Sequence, residues 1–273
     1  MAERVDLGAL LDEGGVAACC AALYTSPAVR WFLGGELHPG GEAATRRSLE
    51  LSELREGERL LDVGSGPGVS AMLAAREFGS VVAGLEFGPD TVREAQASAD
   101  AAGLCDRVGF IVGDASALPF ADGEFDAVLC ECSLSTFPDK DAALGEIRRV
   151  LRPGGRAAIS DVVVDRRRLP DALSGTVATL ACVGGALSRD GYEELLARRD
   201  LDAFAVEPLT AEADRLAGRL EDRLRLGRIL DKCRANPEVR PFGFDEAIAA
   251  VRLARRAISD GALGYAIFAA AAR

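Results

Sequence analysis

The segment from Leu60 to Gly68, LLDVGSGPG, constrains the fold of this chain more than any other. An apolar run leads into Asp62 and then into glycines at 64, 66 and 68, and the helix-forming sequence VSAMLAAREF follows directly. This pattern predicts a strand, a tight turn and a helix. Because glycine has no Cβ, such a turn can adopt unusual dihedral angles and let a ligand approach its main chain. The spacing GxGxG differs from the dinucleotide fingerprint GxGxxG, so this segment alone fits either a ligand site or a tight turn.

Two later strand ends favour the ligand site. The apolar run Val81 to Leu85 ends in Glu86, and an acidic residue about twenty positions after a glycine loop is placed to accept hydrogen bonds from ribose hydroxyls. A third run, Val108 to Val112, is followed by Gly-Asp-Ala, in which Asp114 can face an adenine amino group. A fourth strand begins near Phe125. These strand ends predict a nucleotide-like ligand at one edge of a sheet.

Helical patterns alternate with the strands. Alternation of this kind gives right-handed crossovers and a parallel sheet with helices on both faces, which is an α/β fold. Two helices are predicted in the first forty residues, and the others over Glu42 to Leu54, Val69 to Phe78, Pro89 to Ala102, Asp139 to Leu151, Pro170 to Cys182 and Ser188 to Arg198. Strands are predicted over Leu201 to Val206 and Leu263 to Ala269, with two helical patterns between them that are separated by a break over Pro237 to Gly243.

Composition narrows the class of protein. A hydrophobic content of 49% in 273 residues suits either one large domain or a domain with an appendage, and a net charge of −11 argues against a nucleic-acid partner. No apolar run reaches membrane-spanning length and no leader pattern is present, so a soluble cytoplasmic protein is expected. The seven cysteines have no framework spacing, which predicts thiols rather than disulfides. Zinc is disfavoured, since the chain has no CxxC pair and one histidine, and no metal is expected.

Five segments carry a family resemblance. LLDVGSGPG, LEFGPD, VGDASALPF, FDAVLCE and VLRPGGRAAISD, in this order over Leu60 to Val164, resemble the successive motifs of class I S-adenosylmethionine-dependent methyltransferases. The resemblance implies a Rossmann-like fold, in which a doubly wound, mostly parallel seven-stranded sheet carries N-terminal helices and a C-terminal helical insertion. It also implies S-adenosylmethionine as the cofactor and a methyltransferase as the function.

The same resemblance implies the cofactor-binding residues. Gly64 and Gly66 are expected at the methionine end, Glu86 on the ribose, and Asp114 with Ala115 at the adenine. The further cofactor-binding residues implied are Asp62, Ser65, Phe87, Cys130 and His38. The last of these lies in a His-Pro-Gly-Gly loop, and related methyltransferases carry a similar loop near the methionine end of the cofactor.

The resemblance also divides the chain. Residues 1–56 are expected to form an N-terminal helical lid, 57–209 the cofactor-binding core, 210–260 a helical insertion and 261–273 the last core strand. A hairpin directly joining the last two strands is commoner in the family, so the insertion is interpreted as a cap over the active site. The alternative is a surface that pairs two subunits, which leaves a homodimer open.

A second resemblance concerns cysteines. ECSLSTFPDK, CVGGALSRDGYEELL and the N-terminal Ala-Cys-Cys are similar to segments of the arsenite methyltransferase branch. This implies that Cys20, or its neighbour Cys19, and Cys182 bind trivalent arsenic as substrate. The third thiolate of that branch lies shortly before the first strand, where this chain has Leu-Gly-Gly at 33–35. Without the resemblance, each cysteine taken alone is interpreted as a small apolar residue at a core or loop position.

The single histidine of the chain favours one class of acceptor. An oxygen or nitrogen acceptor usually needs a base, for which the chain has His38 or, alternatively, an Asp, Glu or Tyr side chain, whereas a soft nucleophile needs none. The leading hypothesis is methyl transfer to a thiol-bound metalloid or to a small thiol or selenol, with no catalytic residue identified. The alternatives are a small-molecule O-, N- or C-methyltransferase and a non-catalytic subunit or sensor that binds S-adenosylmethionine.

Overall fold

The computed structural model describes residues 31–34, 36–173, 182–234 and 243–273, with side chains described except at 231–234. The strands are β1 (Arg59–Val63), β2 (Val81–Glu86), β3 (Val108–Val112), β4 (Phe125–Glu131), β5 (Leu151–Val164), β6 (Leu201–Pro208) and β7 (Leu263–Ala272). The helices are α1 (Gly41–Leu51), α2 (Val69–Glu77), α3 (Pro89–Ala101), α4 (Lys140–Val150), α5 (Arg189–Ala197), α6 (Thr210–Arg234) and α7 (Phe244–Ser259). Short 3-10 helices cover Leu134–Thr136 and Asp171–Leu173.

The strands form one seven-stranded sheet in the order β3-β2-β1-β4-β5-β7-β6. Every pairing from β3 to β5 is parallel, and β7 runs antiparallel to both β5 and β6. The chain winds outward from β1 to β3 and then returns to β4 on the other side of β1. Loops diverge at such a switch point, which opens a crevice at the carboxyl ends of the two strands. The predicted doubly wound, mostly parallel fold is confirmed.

The core lies on both faces of the sheet because successive side chains of a strand point to opposite faces. On β1, Leu61 packs with Val128, Ile159 and Phe268, under α4 and α5. Its neighbour Leu60 belongs to a second cluster on the opposite face, under α1, α2 and α3. Both leucines are fully buried, so the central strands are covered on two sides and the site is confined to their ends.

The described elements agree with the expected positions to within a few residues, with one local difference at the start of β5. The helix α4 ends at Val150, one residue before its predicted end at Leu151. The strand β5 then begins directly at Leu151, which pairs with Phe125, and the next pair joins Ala127 to Arg156. The Pro-Gly-Gly segment is therefore part of a bulge in β5, where this strand has more residues than the stretch of β4 that it faces.

The helical insertion consists of α6 and α7, which pack against each other. The buried Glu221 carboxylate on α6 accepts hydrogen bonds from Arg225, Arg252 and Arg255 and so ties the two helices together. The break between them lies outside the described residues, except for Gly243. The two helices predicted in residues 1–30 and most of the helix predicted over 170–182 also lie outside the described residues.

Candidate active site

A cavity of about 820 Å³ opens at the carboxyl ends of β1, β2 and β4. Its walls come from the strand ends and from the loop that precedes α1. The lining residues include Glu36, His38, Thr45, Asp62, Gly64, Ser65, Gly66, Ser70, Glu86, Phe87, Asp114, Ala115, Glu131 and Cys132. The cavity therefore lies where the topology places ligands in open α/β sheets.

The glycine loop combines positive backbone φ angles with close packing. Gly64, Gly66 and Gly68 have φ angles of 73°, 51° and 81°, in the left-handed region that favours glycine. A Cβ at Gly64 would lie 2.5 Å from Ser133 Oγ, and one at Gly68 would overlap the Phe110 ring. A Cβ at Gly66 would meet nothing within 4 Å. The space beside Gly66 is thus left open, so a ligand can reach the backbone there.

Glu86 connects the glycine loop to the end of β2. Its Oε2 accepts a hydrogen bond from the Gly66 amide at 2.9 Å, and its Oε1 accepts from the amides of Phe87 and Gly88 at 2.8 and 3.2 Å. The side chain lines the cavity although the residue is only 8% exposed. A carboxylate fixed in this way can accept hydrogen bonds from ligand hydroxyls without rearranging.

Asp62 presents a buried acceptor to the same cavity. The residue is 2% exposed, and its Oδ2 has no hydrogen-bond partner among the described residues. Burial, together with the nearby carboxylates of Glu131 and Glu86, raises the pKa of Asp62 well above its ordinary value. A buried oxygen without a partner is stabilised by a hydrogen-bond donor. A ligand ammonium group would donate a hydrogen bond to this oxygen and offset the negative charge around it.

Glu131, at the end of β4, accepts hydrogen bonds from hydroxyl groups on two helices. Thr45 Oγ1 and Ser70 Oγ donate to its Oε2 at 3.0 and 2.6 Å. His38 Nε2 lies 3.6 Å from the same oxygen, and both side chains are largely buried. The carboxylate thereby holds the loop before α1 against the sheet, with the only histidine of the chain facing the cavity.

A pair of cysteines lies beside this group. Cys132 lines the cavity, and its Sγ is 3.8 Å from the Sγ of Cys182, which is buried just behind it. Both residues have positive φ angles, 51° and 63°. The contact with Cys182, followed by burial, raises the pKa of the Cys132 thiol well above its ordinary value. Two soft ligands are therefore placed side by side at the cavity wall, at strained backbone positions of the kind that persist at functional sites.

The cavity brings together nine of the predicted site residues: Asp62, Gly64, Ser65, Gly66, Glu86, Phe87, Asp114, Ala115 and His38. Cys130 does not line it, because its side chain is fully buried in the core under β4. Cys182 reaches it only through Cys132, and Cys20 lies outside the described residues. The sequence interpretation missed Cys132, although ECSLSTFPDK contains it, and it missed the hydroxyls around Glu131, which carry no local signal.

The profile of the methyltransferase domain family matches residues 54–200, more than half of the chain. The chain belongs to this family. The class predicted from the sequence motifs is thus confirmed, and S-adenosylmethionine is the cofactor of that class. The orphaned Asp62 oxygen, the fixed Glu86 carboxylate and the open face of Gly66 fit such a cofactor.

Similar proteins extend the comparison. Methyltransferase GfsG of Streptomyces halstedii is 37% identical over 179 residues, which cover 64% of each chain. An arsenite methyltransferase of Aquipseudomonas alcaligenes is 34% identical over 222 residues, which cover 75% of this chain and 62% of the relative. The chain thus spans somewhat less than two thirds of the length of these relatives. The solved structure of the [4+2]-cyclase SpnF superposes with a TM-score of 0.74 at 26% identity and covers 94% of both chains.

Two further observations concern the described ranges only. No helix there is long and apolar enough to cross a membrane. Nor do the same ranges contain a cluster of three or more histidine, cysteine, aspartate or glutamate side chains placed to hold a metal ion.

Proposed function

We propose that this methyltransferase transfers a methyl group from S-adenosylmethionine to a soft nucleophile, either a thiol-bound trivalent metalloid or a small thiol or selenol. The observation that carries the proposal is the contact of 3.8 Å between the Cys132 and Cys182 sulfurs at the wall of the cavity. Thiolates select soft acceptors, and two adjacent sulfurs can chelate one atom. The arsenite methyltransferase relative supports the same class of substrate.

The bound cofactor supplies an activated sulfonium methyl group. Asp62 and Glu131 would balance the positive charges at the methionine end of the cofactor. Glu86 would accept hydrogen bonds from its ribose hydroxyls, and Asp114 with Ala115 would hold its adenine. Because the donor is already activated, the protein acts mainly by orientation in a water-poor cavity, which is worth about 7–11 kcal/mol at best.

The thiol pair holds the acceptor. When Cys132 and Cys182 bind a trivalent metalloid, each thiol loses its proton to the leaving hydroxide or to solvent. The metalloid keeps a lone pair, so attack on the methyl group needs no base. Cys20, or Cys19, which the resemblance implies as a ligand together with Cys182, then supplies a third arm, and an exogenous thiol is the alternative source of a third sulfur.

The loop before α1 and the insertion form the proposed cap. Arg219 on α6 pairs with Glu36, which lines the cavity, and Arg223 donates to the Trp31 carbonyl. The insertion therefore supports the loop that closes the site. Arg219→Ala is expected to weaken cofactor affinity without changing the oligomeric state; a dimer that dissociates instead would favour the subunit-contact alternative.

A transfer assay tests the proposed function. Protein freed of co-purified cofactor is given methyl-labelled S-adenosylmethionine with arsenite, small thiols, selenols or catechols, and the labelled product is identified. Label on arsenic, sulfur or selenium supports the proposal, whereas label confined to a catechol overturns the soft-acceptor assignment. Binding of the cofactor without transfer to any acceptor would favour a sensor or subunit.

One observation favours a second candidate. The His38–Glu131 pair faces the cavity, with 3.6 Å between Nε2 and Oε2, and a histidine next to a carboxylate is a common general base. Such a pair would allow transfer to an oxygen or nitrogen of a small organic acceptor. The choice between the two candidates depends on whether turnover requires His38.

A further inference from the structure

The turn that carries Cys182 is held by one arginine side chain. Arg166 lies just after the end of β5, and its Nη2 donates to the carbonyl oxygens of Val183, Gly184 and Ala186 at 3.0, 2.6 and 3.1 Å. The two N–H groups of this nitrogen are thus shared among three acceptors. Val183 and Ala186 are buried, so their carbonyl groups have little access to water and depend on donors from the protein. A charged donor makes the stronger hydrogen bonds.

The same turn contacts the segment that follows Cys132. A Cβ at Gly185 would lie 2.0 Å from the Ser135 carbonyl oxygen, so only glycine permits this approach of the two backbones. The Ser135 amide donates in turn to Asp161 Oδ2 at 2.7 Å. The end of β5 and the residues directly after it therefore position both cysteine-bearing segments, the first through Asp161 and the second through Arg166.

We infer that Arg166 is a positioning residue for the acceptor, because it fixes the turn over 182–186 and so keeps the Cys182 sulfur in contact with the Cys132 sulfur. The inference rests on the proposed function, in which these two sulfurs hold the acceptor. Cys182 needs such support, since its φ of 63° is a conformation that a residue other than glycine keeps only when its surroundings impose it. Without the guanidinium, the carbonyl groups of the turn rotate toward water, and the contact of 3.8 Å between the sulfurs is lost.

Arg166 acts from outside the cavity. It is not among the described residues that line the cavity, whereas Cys132 and the proposed cofactor-binding residues Asp62 and Glu86 are. Removing the guanidinium is therefore expected to disturb the thiol pair and to leave S-adenosylmethionine affinity unchanged. A general loss of structure would lower both, so the two measurements separate positioning from overall stability.

The experiment measures how closely the two thiols are held, in protein without acceptor. The protein is equilibrated with mixtures of reduced and oxidised glutathione and trapped with acid, and the fraction of Cys132–Cys182 disulfide is determined by peptide mass spectrometry. In this exchange the two protein thiols are oxidised to one disulfide, and one glutathione disulfide is reduced to two glutathione thiols. The equilibrium constant therefore reports the effective concentration of one protein thiol at the other.

Arg166→Met is expected to lower this constant about tenfold, since hydrogen bonds from a charged donor no longer hold the turn. Arg149→Met is the matched control. Arg149 also donates to backbone carbonyl groups, those of Phe120 and Leu118 at 2.8 and 2.9 Å, but in a different loop. This control is expected to lower the free energy of unfolding and to keep the equilibrium constant of the parent.

Equal constants for the parent and for folded Arg166→Met would overturn the inference, as would an equal fall in Arg149→Met or a parent that forms no such disulfide. If Arg166→Met fails to fold, Arg166→Gln provides the same comparison, because its side chain is too short to reach the three carbonyl groups. The exchange with glutathione needs neither arsenic nor turnover. A parent protein that fails to bind arsenite therefore counts against the proposed function alone, whereas the effect of Arg166 on the thiol pair is judged from the equilibrium constants.

Discussion

The sulfurs of Cys132 and Cys182 lie 3.8 Å apart across a sequence separation of fifty residues. Cys182 Sγ also contacts the Cys132 carbonyl oxygen at 3.6 Å, so the two residues meet through side chain and backbone. Both have left-handed backbone conformations, which cost a residue other than glycine on the order of 1–3 kcal/mol. The arrangement places Cys132 Sγ at the cavity wall, with Cys182 Sγ directly behind it.

Cys132→Ser and Cys182→Ser test this pair. Either substitution alone is expected to abolish arsenite binding and to leave S-adenosylmethionine affinity nearly intact. The double variant should lose almost nothing more, because a chelate broken at one arm is already lost. Calorimetric titration with arsenite and with the cofactor measures both effects. Cys105→Ser is the matched control, since that thiol is exposed and remote from the cavity.

Additive, modest effects of the two substitutions would identify the cysteines as ordinary packing residues. Cys20→Ser, measured in the same way, tests the cysteine that the resemblance implies as a ligand together with Cys182. Full arsenite affinity in that variant would leave the pair to bind the metalloid with an exogenous thiol.

Local patterns were sufficient to predict most of the fold. The run Val108 to Val112 is a strand at its predicted bounds, because apolar residues bordered by turn signals leave few alternatives. The cofactor side of the site followed from glycines and acidic residues that immediately succeed such strands. These features are local in sequence, and the switch point of the sheet brings them together.

The acceptor side depends on contacts between distant parts of the chain. Thr45 and Glu131 are 86 positions apart, and their hydrogen bond exists because α1 packs over the end of β4. The partner of Cys182 likewise depends on which strand end lies beside it, and the resemblance alone pointed to Cys20. The bulge at 153–155 likewise depends on a distant strand, because the pairing of Leu151 and Arg156 with β4 places the Pro-Gly-Gly segment inside β5.

Gly66 and Gly68 should respond differently to alanine. Gly66→Ala is expected to lower the free energy of unfolding by about 1 kcal/mol, the cost of a positive φ, and to weaken cofactor affinity more than about tenfold because its Cβ points into open cavity. Gly68→Ala should cost about 2–5 kcal/mol of stability, since its Cβ overlaps Phe110. Denaturant unfolding and calorimetry measure the two quantities. If the two variants had the same free energy of unfolding and the same loss of cofactor affinity, the assignment of Gly66 to the cofactor site would be contradicted.

Glu86→Ala is expected to weaken S-adenosylmethionine binding by about 1.5–3 kcal/mol, the scale of hydrogen bonds to a charged group. The carboxylate also holds the Gly66 amide, so part of the loss comes from a looser glycine loop. Glu86→Gln separates the two contributions, because it keeps one acceptor oxygen for the backbone while removing the charge. Calorimetry on protein freed of cofactor makes the measurement. Unchanged affinity in Glu86→Ala would exclude Glu86 from the ribose site.

The buried Asp161 predicts a pH dependence of stability. Burial raises its pKa from 3.8 to about 6, against the hydrogen bonds from the Ser135 and Val162 amides. Between these pH values the native state binds more protons than the unfolded state, so the free energy of unfolding falls as the pH rises, by about 3 kcal/mol from this group. This loss of stability is complete above the native pKa and absent below the pKa of the unfolded state.

Asp161→Asn removes this titration. Relative to the variant, the parent should lose about 3 kcal/mol of stability between about pH 4 and pH 7, as measured by denaturant unfolding at each pH. Asp90→Asn, whose side chain is 83% exposed, gives the baseline for loss of a surface charge. A parent and an Asp161→Asn variant that keep a constant difference across this range would show that the carboxyl does not titrate there.

His38→Gln decides between the two candidate functions. A metalloid lone pair or a thiolate attacks the methyl group without giving up a proton in that step, so kcat at saturating cofactor should stay within about tenfold of the parent. An oxygen or nitrogen acceptor that relies on the His38–Glu131 pair should instead lose about 10²–10⁴ in kcat. Ser70→Ala is the control, because it removes a hydroxyl from Glu131 without removing a contact of the imidazole among the described residues. A hundredfold loss in His38→Gln that Ser70→Ala does not share would reject the soft-acceptor mechanism even if both cysteines prove to bind arsenite.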